Sequence, residues 1–179
     1  MPRRIAAFCL AVIWALSPQS GFCRDDASDV YDAVTASAPS GCPVIVASRT
    51  DVRGIDDTLA RKYAQMLDLN ESLAKSFASA NSSTHGVPWQ PINTQVAFLD
   101  ASAVHDDSGD AALLAAANRD HPCVRYVYSF SAVAVLQEDA MVKVNRFCGS
   151  LCGGGSDIVR LRVVRGRWQV VKWRRLEIN

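Results

Sequence analysis

From Val124 to Leu136 the residues Val124, Tyr126, Tyr128, Phe130, Ala132, Ala134 and Leu136 recur at period two, all apolar or aromatic. A helix would scatter them around its circumference, whereas an extended chain sets them on one face, so the run predicts a β-strand with a buried side. Three more strands are expected downstream: Met141–Phe147 across a turn at Gln137–Asp139, then Ile158–Val164, then Trp168–Leu176. Arg165–Gly166 between the last two is short enough for a two-residue hairpin turn. The C-terminal part is therefore expected to be an antiparallel meander. In its last hairpin Val163 should pair with Trp168 and Leu161 with Val170, which puts Val159, Leu161, Val163, Trp168 and Val170 on a core face. Strict alternation leaves Arg160, Arg162, Gln169, Val171, Trp173 and Arg175 on the other.

Upstream the periodicity changes. Ile55, Leu59, Tyr63, Met66, Leu67, Leu73 and Phe77 recur at steps of three and four, the stripe of an amphipathic helix over 55–79. Asp56 and Asp57 suit its positive N-terminal end, and Asp68 with Glu71 resembles a capping box, which predicts a break near residue 69. Val44–Ala47 and Thr94–Leu99 read as short strands, Asn81–Pro91 and His105–Asp110 as loops, and Ala111–Ala117 as a short helix. The expected fold class is α+β, with one or two N-terminal helices packed on a four- to five-stranded antiparallel sheet. A chain of 179 residues, 49% apolar, suffices for one such domain. It is expected over residues 44–179, behind an acidic lead-in, 24–43, that carries Asp25, Asp26, Asp29 and Asp32 and ends in the turn-rich Pro39–Pro43.

The first 23 residues read as a signal peptide. Arg3 and Arg4 are followed by twelve apolar residues, Ile5–Leu16, too short a run to span a bilayer, and then by Pro18, Gln19, Ser20, Gly21 and Cys23 around a cleavage point after Cys23. Lipidation of Cys23 would want a small residue before it, and Phe22 stands there. The expected location is periplasmic or secreted, with no transmembrane segment in the mature chain. Four cysteines then remain, Cys42, Cys123, Cys148 and Cys152, and an oxidising compartment predicts two disulfides. Three pairings are possible. The three-residue spacing favours Cys148 with Cys152, leaving Cys42 with Cys123, whose long loop would contribute about 4–5 kcal/mol in a chain-entropy account.

The segment Cys148-Gly149-Ser150-Leu151-Cys152-Gly153-Gly154-Gly155, followed by a strand, a Gly turn and Trp168, resembles a family of uncharacterised bacterial envelope proteins with a C-G-x-L-C-G-x-G motif. Ser131, Ala140 with Val142, and Trp168 match that pattern, and Phe77 to Asn81 echoes a helix ending in Phe and Asn. Ala132, Val133 and Ala134 depart from it where a Gly-Phe pair is usual. The resemblance implies architecture and envelope location, and no activity.

Other chemistries find little in the residues. His121, Cys123, Cys148 and Cys152 have the donor types for zinc but no common finger spacing, and no metal or cofactor is expected. Cys148 and Cys152 are separated by three residues rather than the two of thioredoxin-like pairs, so a structural clamp is the simpler reading than a thiol-disulfide protein. Gly153–Gly155 lack the Lys-Ser or Lys-Thr of a phosphate loop. A hydrolase site from Ser131, Asn145 and one of His85, His105 or His121 has no motif behind it.

Charge is distributed unevenly. Residues 24–140 hold eight basic and sixteen acidic side chains, while 141–179 hold nine basic and two acidic. The near-neutral total argues against bulk nucleic-acid binding. A basic sheet face with Arg160, Arg162, Trp173 and Arg175 is the candidate site, and the expected function is non-enzymatic binding of an acidic protein or anionic polymer. Internal ion pairing of the same arginines is the competing reading.

Overall fold

The computed structural model describes residues 26–36, 43–92, 96–100, 108–124, 126–148 and 154–178. The expected signal peptide, Cys42, His105, Cys152 and Gly149–Gly153 lie outside the described residues. Among the described residues four helices, α1 (Asp26–Thr35), α2 (Asp57–Met66), α3 (Glu71–Ala80) and α4 (Ser108–Asp120), combine with seven strands. The strands are β1 (Val44–Ala47), β2 (Val96–Leu99), β3 (Val127–Phe130), β4 (Ala134–Leu136), β5 (Asp139–Phe147), β6 (Gly155–Val164) and β7 (Arg167–Ile178). They form one sheet in the order β2-β1-β3-β5-β6-β7, with β4 also on β5. Among the described residues no helix is long and apolar enough to cross a membrane.

The fold is α+β as expected, but the sheet is mixed and larger than the antiparallel four or five strands anticipated. β1 runs parallel to both β2 and β3. Parallel neighbours need long crossovers, which α2 with α3 and then α4 supply. From β3 onward the pairing is antiparallel, as the strand patterns predict.

The expected long helix is two. α2 ends with Asp68 at φ 55, and the bonds Leu69 N–H to Ala64 O and Asp68 N–H to Gln65 O close a Schellman motif. Asn70, rather than Asp68, then caps α3 by accepting from the Leu73 N–H at 2.9 Å. Asp56 caps α2 in the same way through Leu59 N–H at 2.7 Å.

The long period-two run is likewise interrupted. After Phe130 the chain bulges at 131–133, and β4 resumes with parity reversed: Phe130 packs on one side of the sheet, Ala134 on the other. Buried polar groups stabilise the bulge. Ser131 Oγ accepts from Lys143 N–H at 2.8 Å, Asn81 Oδ1 accepts from Ala132 N–H at 2.8 Å, and Asn81 Nδ2 donates to Phe77 O and Ala132 O. Tyr31 Oη donates to Ser131 O at 3.0 Å.

Each face of the sheet has its own cover. On one, α1 buries Val30, Tyr31 and Val34 against Val142, Val144, Val159 and Leu161, with Trp89 and Phe130 in the same cluster. The acidic lead-in thus contributes a core helix. On the other, α2 and α3 pack Leu67, Leu73 and Phe77 against Met141 and Ile158, and α4 covers Ile45, Ala47 and Val127.

Candidate functional site

The β6–β7 hairpin carries most of the predicted binding residues. Its turn is the expected one: Arg165 and Gly166 adopt φ 53 and 74, the positive values a type I′ turn requires. Val163 pairs with Trp168 and Leu161 with Val170. Beyond that point the register shifts, because Val171 is an extra residue between the pairs Leu161–Val170 and Arg160–Lys172. One inserted residue reverses which side every later side chain takes. The expected common face of Arg160, Arg162, Trp173 and Arg175 is therefore corrected. Arg160 and Arg162 lie on the α2–α3 side with Lys172 and Arg174, while Trp173 and Arg175 lie on the α1 side opposite Val159 and Asp157.

On the α2–α3 side, Arg160 Nε and Arg162 Nη2 bind Asp139 at 2.8 and 3.1 Å. Arg160 also donates from Nη1 to the carbonyls of Leu67 and Asp68, serving the C-terminal end of α2. Lys172 Nζ binds the Asp68 carboxylate. Burial favours the neutral acid at Asp139, but the hydrogen bonds and charges of Arg162 and Arg160 outweigh it and hold the carboxyl below its usual range. Arg160 is thus committed to the fold. Arg162, Arg165, Arg167 and Arg174 are exposed. Among the described residues no carboxylate binds Arg165, Arg167 or Arg174.

On the α1 side the strand ends bring together a second group. Asp157, fully buried, accepts from Arg146 Nη2 and Arg175 Nε, each at 2.6 Å. The Arg146 guanidinium lies 6.0 Å from the Trp173 ring centroid. Arg146 Nε is buried and has no acceptor. Tyr128 is near enough for the Arg146 charge to act on its phenol, although burial dominates and pushes that phenol's pKa up.

A third polar group was not foreseen. Asp51, just beyond β1, receives Arg53 through Nε and Nη2, the Arg53 N–H, Ser129 Oγ at 3.3 Å and Asn145 Nδ2 at 2.6 Å. Ser156 Oγ donates to Asn145 Oδ1, and Lys143 Nζ to Arg53 O at 2.7 Å. Ser129, Asn145 and Ser156 are direct cross-strand neighbours, so a polar row crosses β3, β5 and β6. Burial favours protonation of Asp51, but the Arg53 bonds and the charges of Arg53 and Lys143 prevail and lower its pKa. Asn145 and Ser131 are thus both engaged, Asn145 in this network and Ser131 in the bulge. His85 lies by Ser83, and His121 follows the end of α4.

Cys123 and Cys148 are both disulfide-bonded. Their expected partners Cys42 and Cys152 lie outside the described residues. Gly154 sits so close to β5 that a Cβ there would meet Arg146 O at 2.5 Å, which accounts for a glycine without any anion to cradle. Among the described residues no cluster of metal-ligating side chains occurs. Compared with protein-family models, curated proteins and solved structures, the chain matches none.

Proposed function

We propose that this chain is an exported envelope domain that binds an acidic protein or anionic polymer without catalysis, through the α2–α3 side of the β6–β7 hairpin. The observation that supports this reading is the row of exposed guanidiniums at Arg165, Arg167 and Arg174, none of which forms an ion pair among the described residues, although the Asp68 carboxylate lies near enough to feel the charge of Arg174. Arg162 extends the row while sharing Asp139 with Arg160. Spread along a strand pair and its turn, these charges suit an extended or flat anionic surface better than a small ligand.

Retention of the mature protein on immobilised heparin and on immobilised polyglutamate tests the reading and separates its two partners. The triple variant R165Q/R167Q/R174Q should elute at distinctly lower salt than the parent while melting at nearly the same temperature, since surface cations without partners contribute little to stability. R160Q should instead lower the melting temperature, because it breaks bonds to Asp139 and to the end of α2. A parent that neither matrix retains at low salt, or a triple variant that elutes with the parent, would remove the hairpin from consideration.

A further inference from the structure

We propose that the edge of β7 away from β6 takes up an extended peptide segment of alternating acidic and apolar residues as a further strand of the sheet. The proposal rests on the hairpin's binding an anionic partner and says what that partner is. Among the described residues β7, Arg167–Ile178, pairs only with β6. Which backbone groups line its outer edge follows from the turn. A two-residue hairpin turn makes the flanking pair, Val164 and Arg167, exchange both backbone bonds, and the exchange recurs at every second pair. Arg162 and Gln169 therefore bond each other, whereas Trp168 and Val170 direct their N–H and C=O away from β6. Val163, opposite Trp168, obeys the same alternation by sending its N–H toward β5, to Glu138 O at 2.9 Å. Outward N–H and C=O groups of this kind are what an incoming strand bonds.

The two sides of β7 differ in chemistry, and that decides which strand fits. On the α2–α3 side stand Arg167, Gln169, Lys172 and Arg174, of which Lys172 is paired with Asp68. On the α1 side stand Trp168, Val170 and Trp173, the two indoles packed partly on the core cluster beneath α1. Val170 is 39% exposed and Val171, at the bulge, 48%, so apolar surface borders the edge. Side chains of an added strand alternate between the same two sides. Acids at every second position then lie beside Arg167 and Arg174, and the apolar residues between them lie beside Trp168 and Val170. An anionic polysaccharide meets the cations but brings no backbone N–H and C=O row for the edge. A second copy of β7 sets cations opposite cations.

The test is the binding of a fluorescein-labelled peptide of alternating Glu and Val, followed by anisotropy. Its comparison is a peptide of the same composition with Glu and Val in two blocks. Two further versions of the alternating peptide are N-methylated, one at every Glu and the other at every Val. Alternate N–H groups point to opposite edges of an extended chain, so one methylated version should bind like the unmodified peptide and the other should weaken at least about tenfold. The alternating peptide should bind more tightly than the block peptide, and its affinity should fall about fivefold in R167Q/R174Q. Hydrogen exchange at the Trp168 and Val170 amides should slow when it is added. The proposal is overturned if the block peptide binds as well, if the two methylated versions behave alike, or if those amides exchange no more slowly. Protection of the same amides without peptide, rising with protein concentration, would give the edge to a second copy and also overturn it. If heparin or polyglutamate is retained while the alternating peptide binds no better than the block peptide, strand addition falls and anion binding by the hairpin stands. If neither matrix nor either peptide is held, both fall.

Discussion

Asp51 keeps its charge in a place where burial opposes it, because Arg53, Asn145 and Ser129 all donate to its oxygens. An acid whose folded pKa is depressed stabilises the fold fully above its unfolded pKa, and that contribution is lost as pH falls through the folded value. Stability should therefore hold near neutrality and decline below about pH 4, where free aspartates begin to protonate. Asp51→Asn should cost about 2 kcal/mol at pH 7, the scale of lost hydrogen bonds to a charged group, and should flatten the acid-side decline. Urea melts of parent and variant between pH 3 and 7 measure both. An unchanged pH profile would place the acid sensitivity elsewhere, with Asp139 the next group to examine. None of the Asp51 network was legible beforehand: the segment Ser48–Gly54 has no periodicity, and its partners are 78 and 94 residues away.

At the scale of elements, most of the secondary structure was legible, because helix stripes and strand alternation are local signals. The Arg165–Gly166 turn, the break between α2 and α3, and the meander from β5 to β7 all follow from neighbouring residues. What escaped were single-residue insertions and long-range choices. Val171 lies in Val170-Val171, where either valine suits either side, so nothing local marks the bulge that carries Trp173 and Arg175 to the α1 side. The bulge at 131–133 hides in a run of apolar residues that alternate equally well in two registers. The parallel placement of β1 between β2 and β3 depends on where the helices dock, and Val44–Ala47 is buried throughout, without an alternation that names its neighbours. Asn81 shows how a bulge is held from outside the sheet. Replacing it by Ala leaves both backbone groups of Ala132 without the Asn81 amide, and Asn81→Ala should cost about 2–3 kcal/mol by denaturant melts. A loss well under 1 kcal/mol would mean that water replaces the amide there.

For the whole molecule, folding partly reunites the two charge-segregated stretches of the chain. Asp68 and Asp139 reach Lys172, Arg160 and Arg162 across the sheet and its helices, which leaves the surplus of cations at the hairpin turn and along β7. Covalent closure acts at the same scale. If Cys42 pairs with Cys123 and Cys148 with Cys152, the C42S/C123S variant should lose more stability in urea than C148S/C152S, because the longer loop restricts the unfolded chain more. Equal losses would count against that pairing. The twelve-residue β7 carries a different consequence, because it pairs only with β6 among the described residues and leaves one edge of the sheet without a further strand. An edge of that length is a template on which a second unpaired strand could align and start an aggregate. Two register shifts, at Ser156/Asp157 and Arg160/Leu161, break it into short pieces, and Arg167, Lys172, Arg174 and Arg175 repel a like-charged copy. Removing those cations would remove this repulsion and favour edge-to-edge association, which gives the same residues a second part to play, as guards against strand-on-strand polymerisation.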